Sequence, residues 1–147
     1  DINSFRDIDT TMLPELQKKY RVFYNRLHHF LEENDRVIEM RDQLKKGNVE
    51  KVGEILKKSH KSLSSMYQVS CKEIDYLIEL SENFNGWYGG RITGGGFGGC
   101  SIHLLANHIV DDYSRYITVN YIKKYDIIPN IFKVSFQEGC IKGKTSS

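Results

Sequence analysis

Between Gly94 and Gly99 five of six residues are glycine, in a chain that has 12 glycines among 147 residues. Glycine at that density costs conformational entropy and contributes no packing, so the folded backbone must need something only glycine permits. Two needs fit: positive φ angles in a tight connection, or close approach of main-chain N–H groups to an anion. The flanks narrow the choice. Tyr88 to Thr93 contains β-branched Ile92 and Thr93 and an aromatic, and after the glycines Cys100, Ile102, Leu104 and Ala106 alternate with Ser101, His103 and Asn107. That period of two predicts a strand, a glycine loop and a second strand.

Two nucleotide-binding patterns fail on this placement. Gly94, Gly96 and Gly99 satisfy G-x-G-x-x-G, but a dinucleotide fingerprint opens a helix and has an acid about 20 residues on. Here a strand follows, and Val119 and Asn120 stand in the acid's place. A P-loop ends in Gly-Lys-Ser/Thr. Gly99 runs into Cys100 and Ser101, and the single Gly-Lys-Thr, Gly143 to Thr145, has Glu138 where its leading glycine belongs.

The segment Gly90 to Cys100, GRITGGGFGGC, resembles the third signature motif of the GHMP small-molecule kinases in its galactokinase form. A second block supports the narrower likeness: His60, Ser62, Leu63, Tyr67, Val69, Ser70, Cys71, Glu73 and Asp75 match the segment upstream of that motif in spacing. Ser65 and Met66 depart from it where acids are common, and Lys72 replaces a usual proline. Ile128 to Gly139 resembles the family's final strand and turn.

The resemblance implies an ATP-dependent sugar 1-kinase whose N-terminal signature, serine-rich phosphate loop and catalytic Asp and Arg lie in a lobe outside this chain. ATP and Mg2+ are then held mainly by that N-terminal lobe. The glycine loop, Gly94, Gly95, Gly96, Phe97, Gly98 and Gly99, is expected to border sugar and nucleotide, with Phe97 packing on the other lobe. Arg91 and Thr93 could support it. Arg91 has a second reading, as a locally paired or solvated strand arginine. No catalytic residue and no metal ligand is expected here, and the chain alone is expected to be inactive. The alternatives are an N-acetylgalactosamine kinase, a non-catalytic kinase-like galactose sensor, and a stand-alone interaction module.

Bulk properties are compatible with this. A chain of 147 residues suits one domain. No apolar run reaches membrane-spanning length, and a net charge of +2 does not by itself indicate a nucleic-acid partner. Cys71, Cys100 and Cys140 form no C-x-x-C pair and are odd in number, which favours a reducing, cytoplasmic setting. The start, Asp1-Ile2-Asn3-Ser4, shows no secretory signal and no methionine, so the chain is expected to be part of something longer. The histidines show no metal-binding spacing.

The remaining pattern predicts helices before the hairpin. Leu16, Tyr20, Phe23, Leu27, Phe30, Val37 and Leu44 lie at helical steps, predicting one long helix from Glu15 to Lys46 that bends or breaks near Asn34 and stops at Gly47-Asn48. Val49, Val52 and Leu56 begin a second helix, and Ser62 opens a brief third. Ser70 with Glu73 reads as a capping box for a fourth, buried through Cys71, Ile74, Leu77 and Ile78 and ended by Asn83 to Gly86. Asn107 caps a helix with Ile109, Tyr113, Ile117 and Tyr121 inside. Lys45-Lys46, Lys57-Lys58 and Lys123-Lys124 are each expected in a last helical turn, complementing the dipole. After Pro129, Ile131 to Phe136 alternates as a last strand, and Cys100 is expected in the core. The whole reads as α+β, helices on one face of a small antiparallel sheet, the ferredoxin-like C-terminal domain of GHMP kinases. It is expected to occupy residues 1–142, with 143–147 a disordered tail.

Overall fold

A computed structural model describes residue 4, residues 7–21 and residues 23–134. Within the described residues five helices surround one antiparallel pair of strands. α1 (Leu13–Lys19) follows a 3-10 turn, α2 spans Tyr24–Lys45, and α3 spans Val49–Ser62 and runs on into a π-helical turn, Leu63–Tyr67. Then come α4 (Lys72–Glu82), β1 (Trp87–Thr93), β2 (Cys100–Leu105), a 3-10 turn at Asn107–Ile109 and α5 (Val110–Tyr125). The strands pair from Thr93 with Cys100 to Trp87 with Leu105, with a bulge between Trp87 and Gly89. Strand, glycine loop and strand therefore stand as expected, and so does the α+β class.

Alternation and register place Gly90, Ile92, Ser101, His103 and Leu105 on the face turned to α4 and α5. Ile78, Trp87, Tyr113 and Ile117 form one core cluster there, with Leu105 packed against it. Leu63, Ile74 and Ile92 form a second, towards the π-helical turn. α3 lies along β1 and touches it main chain to main chain: a Cβ on Gly89 would stand 2.0 Å from the carbonyl oxygen of Gly53, and one on Gly53 would stand 2.3 Å from that of Tyr88. The Ile92 N–H turns away from β2 and donates to His60 Nδ1 on α3, at 3.3 Å. This outer edge of β1 is thus covered, which removes it as a template for another strand.

Several expectations from sequence are corrected. The first helical break falls between α1 and α2, at Tyr20 to Phe23, and Asn34 lies inside an unbroken helix. Across that position Arg36 binds Glu33 Oε2 at 2.7 Å and Glu32 Oε2 at 3.1 Å, pairs that favour helix. Val37 and Leu44 are exposed and do not reach a core. Gly47, at φ +66°, ends α2, while the Asn48 side chain accepts the Lys51 N–H and caps α3. α3 runs through Lys57 and Lys58, so that pair is not in a last turn; Lys57 Nζ lies 5.7 Å over the Trp87 ring. Ser70 is not a capping box partner, because its hydroxyl donates to Asp75 Oδ1 at 2.6 Å and Cys71 holds the N-cap position. Asn107 opens a 3-10 turn, not α5 itself, whose Tyr113, Ile117 and Tyr121 are buried.

Cys100 is exposed and Ile102 nearly half exposed, the reverse of the expected burial. The polar face of β2 packs inward because Trp87 of β1 and Tyr113 of α5, itself bonded to Ser81 of α4, supply His103 with hydrogen-bond partners. Residues 131–134 form no strand, and Phe132 and Val134 are exposed. The rest of that expected strand and the expected tail lie outside the described residues.

Candidate functional site

The glycine loop joins β1 to β2, and its backbone explains much of its composition. Gly94, Gly96, Phe97, Gly98 and Gly99 have φ of +82°, +85°, +60°, +119° and +95°, values that an L side chain resists. Gly95 is different: its φ is not in that region, and nothing lies within 4 Å of where its Cβ would be. Gly94, Gly98 and Gly99 likewise face open space. Among the described residues, none of these four amides donates to another backbone carbonyl outside the strands.

One bond fixes the middle of the loop. The Phe97 N–H donates to the Val69 carbonyl at 2.6 Å, and a Cβ on Gly96 would stand 2.6 Å from that same oxygen. The Phe97 side chain projects outward and is 76% exposed. Val69 itself sits between the π-helical turn and α4, where Asp75 gathers neighbours. Its carboxylate accepts the Ser64 hydroxyl at 3.0 Å, the Ser70 hydroxyl at 2.6 Å and His60 Nε2 at 3.2 Å. Since His60 Nδ1 accepts the Ile92 amide, the proton of the ring belongs on Nε2, towards Asp75. Burial holds His60 below its ordinary pKa, outweighing the pull of Asp75 in the other direction. The pair is therefore a neutral imidazole on a carboxylate at neutral pH.

Arg91 is engaged within the domain. Its Nη1 reaches Glu33 Oε1 at 2.8 Å and Ser59 Oγ at 2.9 Å, and its Nε caps the Ile92 carbonyl. Burial alone would raise the Glu33 carboxyl, but hydrogen bonds from Ser59 and Arg36 and the charges of Arg36 and Arg91 hold it below the usual value. Arg91 is thus paired locally, with Glu33 and Ser59. Thr93 is half-buried at the end of β1, opposite Cys100.

Beneath β2, His103 is the centre of a second polar group. Trp87 Nε1 donates to its Nδ1 at 3.1 Å, and the Tyr113 hydroxyl lies 2.8 Å from the same nitrogen. The indole N–H can only donate, so the ring proton sits on Nε2 and is directed at Ser101 Oγ, 2.8 Å away. Burial lowers the His103 pKa to about 4, with the nearby His60 adding in the same direction. Burial raises that of Tyr113, whose hydroxyl also meets Ser81 Oγ at 2.6 Å. Among the described residues no group of three His, Cys, Asp or Glu could hold a metal ion. Among the described residues no helix is long and apolar enough to cross a membrane.

Sequence reasoning reached the loop but not what holds it. Asp75, His60, Ser64 and Ser70 form a clamp that joins α3, the π-helical turn and α4 to β1. The pertinent signal was a dense set of polar residues just ahead of a helix, read there as a local cap.

An α+β domain whose glycine hairpin is backed by helices in this way matches a described class. The sequence profile for the GHMP kinases C-terminal family fits residues 40–115, just over half of the chain, and the chain belongs to that family. Among individual proteins it is similar to galactokinases. That of Thermosipho africanus (strain TCF52B) is 34% identical over 119 residues, covering 81% of this chain and 34% of the relative. That of Actinobacillus pleuropneumoniae serotype 5b (strain L20) is 40% identical over 114 residues, covering 77% and 30%. The crystal structure of Lactococcus lactis galactokinase complexed with galactose superimposes with a TM-score of 0.80 at 30% identity, over 87% of this chain and 34% of that one. L. major mevalonate kinase shares the fold at a TM-score of 0.53 and 20% identity, over 85% of this chain and 36% of that one. The chain spans about a third of the length of the galactokinases it matches.

Proposed function

We propose that this chain is the C-terminal lobe, over residues 1–142, of a cytoplasmic galactokinase. In the complete protein the γ-phosphoryl of ATP passes to the anomeric hydroxyl of galactose, and the glycine loop forms one wall of the cleft. The observation that carries this is the loop's bareness: four glycines face open space, and among the described residues their amides donate to no backbone carbonyl outside the strands. Gly95 has neither a steric nor a φ reason to lack a side chain, which leaves approach by a ligand as the physical reason.

Phosphoryl transfer depends on positioning and on stabilising charge spread over the transferred oxygens. Exposed amides at Gly94, Gly95, Gly98 and Gly99 suit that task, because a fixed N–H dipole needs no reorganisation as charge develops. Mg2+, held mainly by the other lobe, would supply charge neutralisation when bound. Phe97 projects from the loop to pack on that lobe. The chain by itself lacks a phosphate loop and does not catalyse the reaction.

The test is phosphorylation of sugars by the complete protein with ATP. Turnover of galactose well above that of N-acetylgalactosamine is expected. Preference for N-acetylgalactosamine would move the assignment to that kinase, and galactose binding without turnover would make the protein a sensor.

A further inference from the structure

We infer that Asp75 is a positioning residue that sets the glycine loop for ligand, acting through His60 on one side and through Ser70 and Val69 on the other. The inference rests on the reading of that loop given under Proposed function. One carboxylate reaches both anchorages of the loop. Through His60, whose opposite ring nitrogen takes the Ile92 amide, it fixes β1 two residues before Gly94. Through the Ser70 hydroxyl it fixes the residue after Val69, whose carbonyl holds the Phe97 amide at 2.6 Å. Ser64 adds a third bond, from the π-helical turn.

The loop needs such support because it cannot hold itself. Most of its residues lie at positive φ, its glycines supply no packing, and Phe97 donates its one backbone bond across to Val69. A non-glycine residue at φ +60° is strained and persists only where the surroundings fix it. The amides of Gly98 and Gly99 can act as a preorganised anion wall only if the Val69 carbonyl stays in place. Asp75 touches no loop residue itself, so its effect on ligand is indirect. It lies in the first turn of α4, where a carboxylate also suits the helix dipole, and its three partners come from three different segments. The dipole accounts for an acid at this position but not for donors from three segments converging on it.

The experiment is Asp75→Asn in the complete protein, with Ile117→Val in the α5 core as a control of modest destabilisation away from the clamp. Asn keeps the size but puts an amide N–H2 where hydroxyls and imidazole donate. Two readouts are taken: hydrogen exchange of the Ile92 and Phe97 amides, and KM and kcat for ATP and galactose. For Asp75→Asn we expect exchange at both amides at least tenfold faster, with α5 protection retained, and KM raised or kcat lowered at least fivefold. The control leaves both unchanged. Should Asp75→Asn not fold, Ser70→Ala removes one bond of the clamp and gives the same directions with smaller size. Exchange no faster than in the control overturns the inference, as do unchanged kinetic constants beside faster exchange. If exchange responds while the unsubstituted protein does not phosphorylate galactose, the clamp stands and the substrate reading falls.

Discussion

The path from β1 into the loop carries glycine at Gly89 and again at Gly95, and the two positions use it for opposite reasons. At Gly89 there is no space: the Gly53 carbonyl oxygen of α3 would lie 2.0 Å from an added Cβ. Six residues later, at Gly95, there is nothing but space. The first glycine lets two main chains meet and is a matter of packing. The second contributes to no contact within the chain and must answer to something outside it. A run of glycines thus cannot be assigned to stability or to function by composition; what surrounds each Cβ position decides. If this contrast is right, the cost of substitutions to stability should fall along the path from the helix–strand contact to the loop.

The largest effect is expected at the contact. Gly89→Ala forces backbone against backbone, with no flexible side chain able to move aside. It should cost more than about 4 kcal/mol, enough to leave the chain largely unfolded. Urea unfolding followed by circular dichroism measures this, and a stable Gly89→Ala variant would break the comparison at its firmer end.

The next effect is one of pH, in the polar group under β2. His103 has a folded pKa of about 4 against an ordinary 6.5. Because the unfolded state binds the proton more readily, its contribution is complete above about pH 6.5 and is lost as pH falls towards 4. The size is about 3 kcal/mol by linkage. His29 and His60, both lowered chiefly by burial, act in the same direction. Thermal midpoints between pH 7 and pH 4 should fall steeply, and His103→Gln should flatten part of that slope. An unchanged slope would mean that the imidazole is solvated.

Arg91 lies between the two regions. Arg91→Ala removes the bonds to Glu33, Ser59 and the Ile92 carbonyl, and leaves a half-buried Glu33 with Arg36 and Ser59 as its remaining partners. The expected loss is about 2 kcal/mol. Arg91→Lys should recover less than half, because an ammonium cannot reproduce the planar fork. Chemical denaturation of both variants distinguishes this from a surface pair, for which either change would cost under about 1 kcal/mol.

These sites also show what a sequence can disclose. The hairpin was legible because Ile92 and Thr93 on one side and alternation from Cys100 on the other are local signals. Which face of β2 points inward was not, since burying Ser101 and His103 depends on Trp87, Tyr113 and Ser81 from three separate elements. Ser70 with Glu73 matched a capping pattern, yet Asp75, two residues further, competes for the hydroxyl and wins. A tertiary cluster fixed it where a local rule was read. Gly53 inside α3 was a visible oddity, a costly residue in mid-helix. Its explanation lay 35 residues away at Tyr88, whose carbonyl oxygen would stand 2.3 Å from its Cβ. The break between α1 and α2 carries no glycine or proline at all.

The smallest effect on stability is expected at Gly95, and it is the one that bears most on function. Gly95→Ala places a methyl group in open space at a φ outside the left-handed region. Folding should change by no more than about 0.5 kcal/mol, and could gain slightly from a less flexible unfolded chain. Gly96→Ala is the matched contrast, since its Cβ would meet the Val69 carbonyl oxygen at 2.6 Å and φ +85° is also unfavourable. In the complete protein, Gly95→Ala should lower galactose kinase kcat/KM at least tenfold while leaving the melting temperature in place. A methyl group there keeps a phosphate or sugar oxygen from reaching the main chain. Full activity in Gly95→Ala would show that no ligand approaches this backbone, and the loop would then be a hairpin and nothing more.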